Sequence, residues 1–141
     1  MSHIKYLRLI LKDRIILDGG GEGHITFLYF GSYKVDTLWL TEQLKGIGPF
    51  YLCEPSHVKI GKNFDIDAIK YDILDSEDNV EVQICRRMLM EKCGQEVEEQ
   101  NFKEYNPHVS KLTMDAVDKQ NLTSLEVIGI ESNDGSWKIM F

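Results

Sequence analysis

Two of the four histidines in the chain open the same three-residue pattern, His24-Ile25-Thr26 and His108-Val109-Ser110. On a β-strand, residues i and i+2 project from one face, so each pattern presents an imidazole together with a hydroxyl. Two such strands side by side would frame a cleft with two imidazoles and two hydroxyls. Phosphodiester cleavage needs that set: a neutral imidazole as general base, a protonated one as general acid, and donors for the non-bridging oxygens as charge builds. Spacing alone does not separate this reading from a pair of strand histidines bonded to their neighbours. The context favours chemistry, because both patterns begin apolar strands, follow a Gly or Pro loop, and fall in different halves of the chain.

The remaining candidates weigh less. His57 has Lys59 two residues on instead of a hydroxyl, and reads as a strand or surface histidine; His3 sits at a terminus expected to fray. No histidine spacing suggests a metal site, so neither metal nor cofactor is expected. The glycine-rich stretch Asp18 to Gly23 lacks the lysine of a phosphate-binding loop, and no nucleophile elbow is present. Tyr105, Trp137 and Phe30 could stack a base, although simple packing is the commoner fate of such rings.

The elements that must position these groups can be read along the chain. Ile4 to Leu11 is expected to be a strand, Asp18 to Gly23 a flexible loop, and His24 to Phe30 a buried strand closed by Gly31. Asp36 is the expected N-cap of a short helix carrying Leu40, Leu44 and Ile47. Phe50 to Leu52 and His57 to Ile60 read as strand pieces around a Glu54-Pro55-Ser56 turn, and Ala68 to Leu74 as another strand. A second helix follows, with Val80, Ile84 and Met88 aligned with Cys85 and Leu89 as its apolar stripe, Glu77 and Asp78 at its positive end, and Gly94 as its stop. After the acidic run Glu96 to Glu104, Asn106-Pro107 leads into the second motif. Leu125 to Glu131, an Asn133-Asp134-Gly135 turn and Trp137 to Phe141 form the closing hairpin. The fold class expected is α+β, in a single domain over residues 1–141.

Composition narrows the partner. The chain carries 23 acidic against 16 basic residues, a formal net charge of −7. A long polyanion would be repelled, whereas a local basic pocket could hold one or two phosphates. No membrane span or secretory leader is readable, which suggests the cytoplasm. Cys53, Cys85 and Cys93, odd in number and without paired short spacing, read as reduced core thiols.

The two motifs resemble those of the two-histidine phosphoesterase superfamily, which includes the RNA-ligase-like 2′,3′-cyclic phosphodiesterases. Its pattern is a histidine, any residue, then Thr or Ser, twice, each on a strand flanked by apolar residues. His24 to Gly31 resembles the first copy down to its closing glycine, and Asn106 to Ser110 the second, with its frequent preceding proline. The C-terminal hairpin, with Glu131-Ser132, Gly135 and Trp137, is similar to the family's last two strands. Two features depart from the pattern. The usual N-terminal helix is missing or reduced, and Lys111 stands where an apolar residue is common. Lys111 is expected to snorkel out of the sheet in preference to reaching for a phosphate.

The resemblance implies a two-lobed α+β domain, with antiparallel sheets lining a central groove and two helices outside. It implies metal-independent cleavage by His24 and His108, with Thr26 and Ser110 binding phosphate oxygens. The substrate would be a small cyclic or oligonucleotide phosphodiester, such as a cyclic oligonucleotide immune signal of the kind that viral branches of the superfamily destroy, in the host cytoplasm if the chain is viral. A 2′,3′-cyclic phosphate or a 2′-5′ oligoadenylate is the alternative substrate. A catalytically idle nucleotide-binding sponge is the alternative of another class.

Overall fold

Alternation of buried and outward side chains sets the strands. The computed structural model describes residues 4–93 and 105–141; Gly94, His3 and the acidic run before Tyr105 lie outside the described residues. In β1 (Tyr6–Leu11) Leu7 and Leu9 point inward, both nearly fully buried. After it come a two-stranded ribbon, β2 (Ile15–Ile16) with β3 (Glu22–Gly23), and then β4 (Thr26–Tyr29). Much of the stretch read as a flexible loop is thus the turn of a ribbon, and His24 and Ile25 form the joint between ribbon and strand. The strand expected from His24 begins two residues later.

The remaining elements are α1 (Thr37–Leu44), β5 (Phe50–Ile60), β6 (Ile66–Ile73), α2 (Ser76–Cys93), β7 (His108–Ser110), α3 (Met114–Gln120), β8 (Ser124–Ser132) and β9 (Lys138–Met140). Seven strands form one antiparallel sheet in the order β4-β1-β8-β5-β6-β7, with β9 beside β8. The α+β class therefore holds. The sheet is continuous, and three helices are present among the described residues where two were expected.

β8 makes the sheet continuous. Its first residues pair with β5 through Ser124 to Val127, and its later ones pair with β9 through Gly129 to Glu131, while β1 runs along its other side. A single strand thus belongs to both halves of the sheet. One hydrophobic cluster spans them, from Ile4 through Leu40 and Leu89 to Trp137. No helix among the described residues is long and apolar enough to cross a membrane.

The caps follow local chemistry. Asp36 Oδ1 accepts from the backbone N–H groups of Leu38 and Trp39 at 2.9 and 3.4 Å, as an N-cap should, and Leu40 and Leu44 are fully buried. Asp75 does the same for the start of α2. α3, not anticipated from the sequence, starts on Thr113, whose hydroxyl accepts from Ala116 N–H, and ends on Asn121 in the left-handed region.

Two expectations are corrected. Glu54-Pro55-Ser56 is no turn: β5 is one strand through it, with the pairing register shifting between Cys53 and Ser56 and Glu54 at φ 53°. A bulge accommodates a proline that could not donate to the ladder. On α2 the buried stripe is Val82, Arg86, Leu89 and Cys93, and Val80, Ile84 and Met88 are 54%, 54% and 50% exposed. Both sets recur at helical spacing, and the buried one packs Val82, Leu89 and Cys93 into the core while Arg86 reaches the Phe27 carbonyl. Leu89→Ala is therefore expected to cost about 2–5 kcal/mol, and Ile84→Ala less than about 0.5 kcal/mol, measured as shifts of the denaturant midpoint.

Candidate functional site

The strands that carry the two motifs, β4 and β7, are the two ends of the sheet order. The sheet curves until these ends face each other. Tyr105, just before β7, donates its hydroxyl to the Thr26 carbonyl at 2.7 Å, and its ring meets Phe27 edge-on with centroids 5.4 Å apart. From α2, Arg86 Nε donates to the Phe27 carbonyl at 2.8 Å, with the guanidinium 5.1 Å from the Tyr105 ring centre. Burial pushes the Tyr105 hydroxyl far above its ordinary range, so it remains a donor. Arg86 is only 5% exposed, and burial lowers its pKa from a value high enough for the charge to persist. On the ribbon side, Gly23 abuts the second motif: a Cβ there would lie 2.9 Å from Val109 Cγ1 and 3.1 Å from side-chain atoms of Ile15 and Leu17.

Val109 is fully buried, which turns His108 and Ser110 to the other side of β7. His108 Nδ1 lies 2.9 Å from the Asn106 carbonyl. A carbonyl can only accept, so Nδ1 carries a proton and Nε2 is the atom free to exchange one. Directly across the ladder from His108 stands Lys70 of β6. His24 stacks on Tyr6, centroids 5.7 Å apart with 22° between planes. Its pKa lies below the ordinary imidazole value of 6.5, owing first to partial burial, then to the positive charge of Arg8, then to that of His108. The two imidazoles are thus within electrostatic reach of each other. Arg8 is itself held by Glu131, Nε to Oε1 at 2.8 Å.

Two clefts flank the junction. The smaller, about 180 Å³, is lined by His24, Arg8, Arg14, Glu22 and Glu131 among others. The larger, about 810 Å³, is bounded by β4, the β5–β6 hairpin, α2 and the approach to β7; Thr26, Lys70, Arg86, Tyr105 and His108 line it. Among the described residues no group of three or more His, Cys, Asp or Glu is placed to hold a metal ion.

The sequence-derived candidates do not all converge. Thr26 and His108 line the large cleft, whereas His24 lines the small one and is linked to His108 through the charge that lowers its pKa. Ser110 is exposed, pairs in register with Ala68, and lines neither large nor small cleft. Tyr105 borders the large cleft but is 6% exposed, its hydroxyl committed to Thr26. Trp137 is buried, its indole N–H donating to Thr41 Oγ1 at 3.0 Å. Packing is thus the role in which both rings are found. Phe30 is fully buried. His57 is exposed and bonded to Asp67 at 2.8 Å. Lys111 is exposed in a left-handed turn after β7, outside the cleft lining.

Sequence reasoning passed over Lys70 and Arg86. Lys70 left a faint signal, a lone cation between apolar Ile69 and Tyr71; Arg86 left a similar one, an arginine in step with Val82 and Leu89. The chain matches no family model, no curated protein and no solved structure among those compared.

The junction makes a quantitative expectation. Tyr105→Phe keeps the ring but strips the Thr26 carbonyl of its donor, and is expected to cost about 1–3 kcal/mol. Urea titration should show the midpoint falling at unchanged m-value.

Proposed function

We propose that the chain is a phosphodiesterase acting on small nucleotides by two-histidine acid–base catalysis. The observation that carries this reading is the meeting of the two motif-bearing ends of the sheet, with His24 feeling the charge of His108. Two imidazoles that disfavour simultaneous protonation suit a reaction needing one neutral and one charged ring. Their resemblance to the two-histidine phosphoesterases points the same way.

The lowered pKa of His24 favours it as the base. Its neutral ring takes the proton of the attacking oxygen, from water or a ribose 2′-hydroxyl, as that oxygen bonds to phosphorus. His108 Nε2 delivers a proton to the leaving ribose oxygen as the P–O bond breaks, with Nδ1–H fixed on Asn106. Thr26 and Lys70 both line the cleft beside His108, which supports them as receivers of the non-bridging oxygens. Ser110 has a lesser part than the sequence pattern suggested.

The test is hydrolysis of a panel of cyclic dinucleotides, cyclic trinucleotides, 2′,3′-cyclic mononucleotides and 2′-5′ oligoadenylates in EDTA, read by mass spectrometry. Turnover of at least one member is expected, with His24→Ala and His108→Ala each about 10²–10⁴ slower. Binding without turnover would identify a sponge, and near-normal rates in both variants would end the two-histidine assignment.

The pH profile should be bell-shaped. His24 works deprotonated, so kcat/KM rises with pH through a midpoint below 6.5, and falls at higher pH as the acid loses its proton. Because Arg8 is among the groups that depress His24, Arg8→Gln should move the acid limb upward. An acid limb indifferent to Arg8, or no alkaline limb at all, would count against this assignment of roles.

A further inference from the structure

The large cleft continues well beyond the residues that the reaction needs. From Lys70, opposite His108, β6 runs back to Ile66 at the hairpin tip, a distance of about 13 Å at about 3.3 Å per residue. Among the described residues, the lining of this cleft includes Lys59, Lys62, Lys70 and Arg86 and no Asp or Glu. In a chain of net charge −7 that is a local reversal of sign.

The cations are not equivalent. Lys59 is bound to Asp67 at 2.7 Å, and Lys70 stands 3.6 Å from Asp72. Arg86 is buried and holds the Phe27 carbonyl. Lys62, exposed at the tip, makes no ion pair among the described residues. Beside it, Phe64 is 74% exposed while still lining the cleft. Its backbone is left-handed, φ 52°, in a turn closed by Phe64 N–H to the Gly61 carbonyl at 3.1 Å. A bulky aromatic residue is strained in that region. At this exposure the strain is not offset by burial. A flat apolar ring presented to solvent next to an unpaired ammonium is what a base and its phosphate would meet.

We propose that the β5–β6 tip is a second subsite, in which Lys62 receives a phosphate and Phe64 stacks a base. The substrate is then an oligonucleotide carrying at least two phosphates, and not a lone 2′,3′-cyclic mononucleotide. This rests on the reading of His24 and His108 as the catalytic pair, with His108 and Lys70 at the other end of this cleft.

The experiment compares Lys62→Ala and Phe64→Ala with the unaltered chain, on a cyclic trinucleotide, a linear trinucleotide and a 2′,3′-cyclic mononucleotide. Both side chains are exposed, so folding is expected to survive, and circular dichroism checks it. In each variant the ratio of oligonucleotide to mononucleotide kcat/KM should fall about tenfold. Lys62→Ala should also reduce the salt slope for the oligonucleotides by about one. An unchanged ratio in both variants overturns the subsite. Should no substrate be cleaved, the catalytic reading fails on its own. The subsite is then decided by equilibrium binding of a phosphorothioate-linked triadenylate, where tenfold weaker binding by Lys62→Ala upholds it and equal affinity refutes it.

Discussion

The hydrogen bond from the Tyr105 hydroxyl to the Thr26 carbonyl is the constraint on which the site depends. A seven-stranded sheet would otherwise hold its first and last strands far apart. Tyr105 joins the segment entering β7 to β4, and Arg86 braces the same point from α2 through the Phe27 carbonyl. The aromatic ring between them is closed off by Phe27 on its edge and the guanidinium near its face. Two of the most polar side-chain groups in the interior thus serve to fix main-chain carbonyls, and every buried side-chain polar atom among the described residues has a partner.

Around that junction the electrostatics divide. On the His24 side, Arg8 is tempered by Glu131, so its charge reaches the imidazole from within an ion pair. On the His108 side, Lys59, Lys62, Lys70 and Arg86 line a cleft to which the described residues contribute no carboxylate. The chain is acidic overall, so this basic concavity stands against the sign of the net charge. On the proposed reading, such an arrangement would favour a short nucleotide over a long polyanion.

The sequence disclosed local elements better than their setting. The histidine motifs, the Asp36 cap and the Asn133-Asp134-Gly135 hairpin are local signals, written in a few adjacent side chains. The face of α2 is not local. Val80, Ile84 and Met88 form as regular a stripe as Val82, Arg86 and Leu89; which is buried follows from the core that receives Val82 and Leu89 and from the Phe27 carbonyl that Arg86 reaches. The divergent placing of Thr26 and Ser110 is equally hidden, because it follows from the joint at His24 and the shortness of β7. Lys70 acquires meaning only from a register that sets it across from His108. Pro55 suggested a break in β5, and a bulge absorbed it.

The pairing of β1 with β8 has a consequence for how the chain reaches this state. Arg8 and Glu131 are 123 residues apart in sequence, yet adjacent across the ladder. β8 is also the strand on which β5 and β9 rest. Until it is made, the β1–β4 pair and the β5–β6–β7 strands are two separate pieces with no strand to join them. Closing so long a loop carries a large entropic cost before any contact repays it, which slows folding and exposes apolar strands meanwhile. The nascent chain therefore holds both histidine motifs before the central strand that completes the sheet has been made.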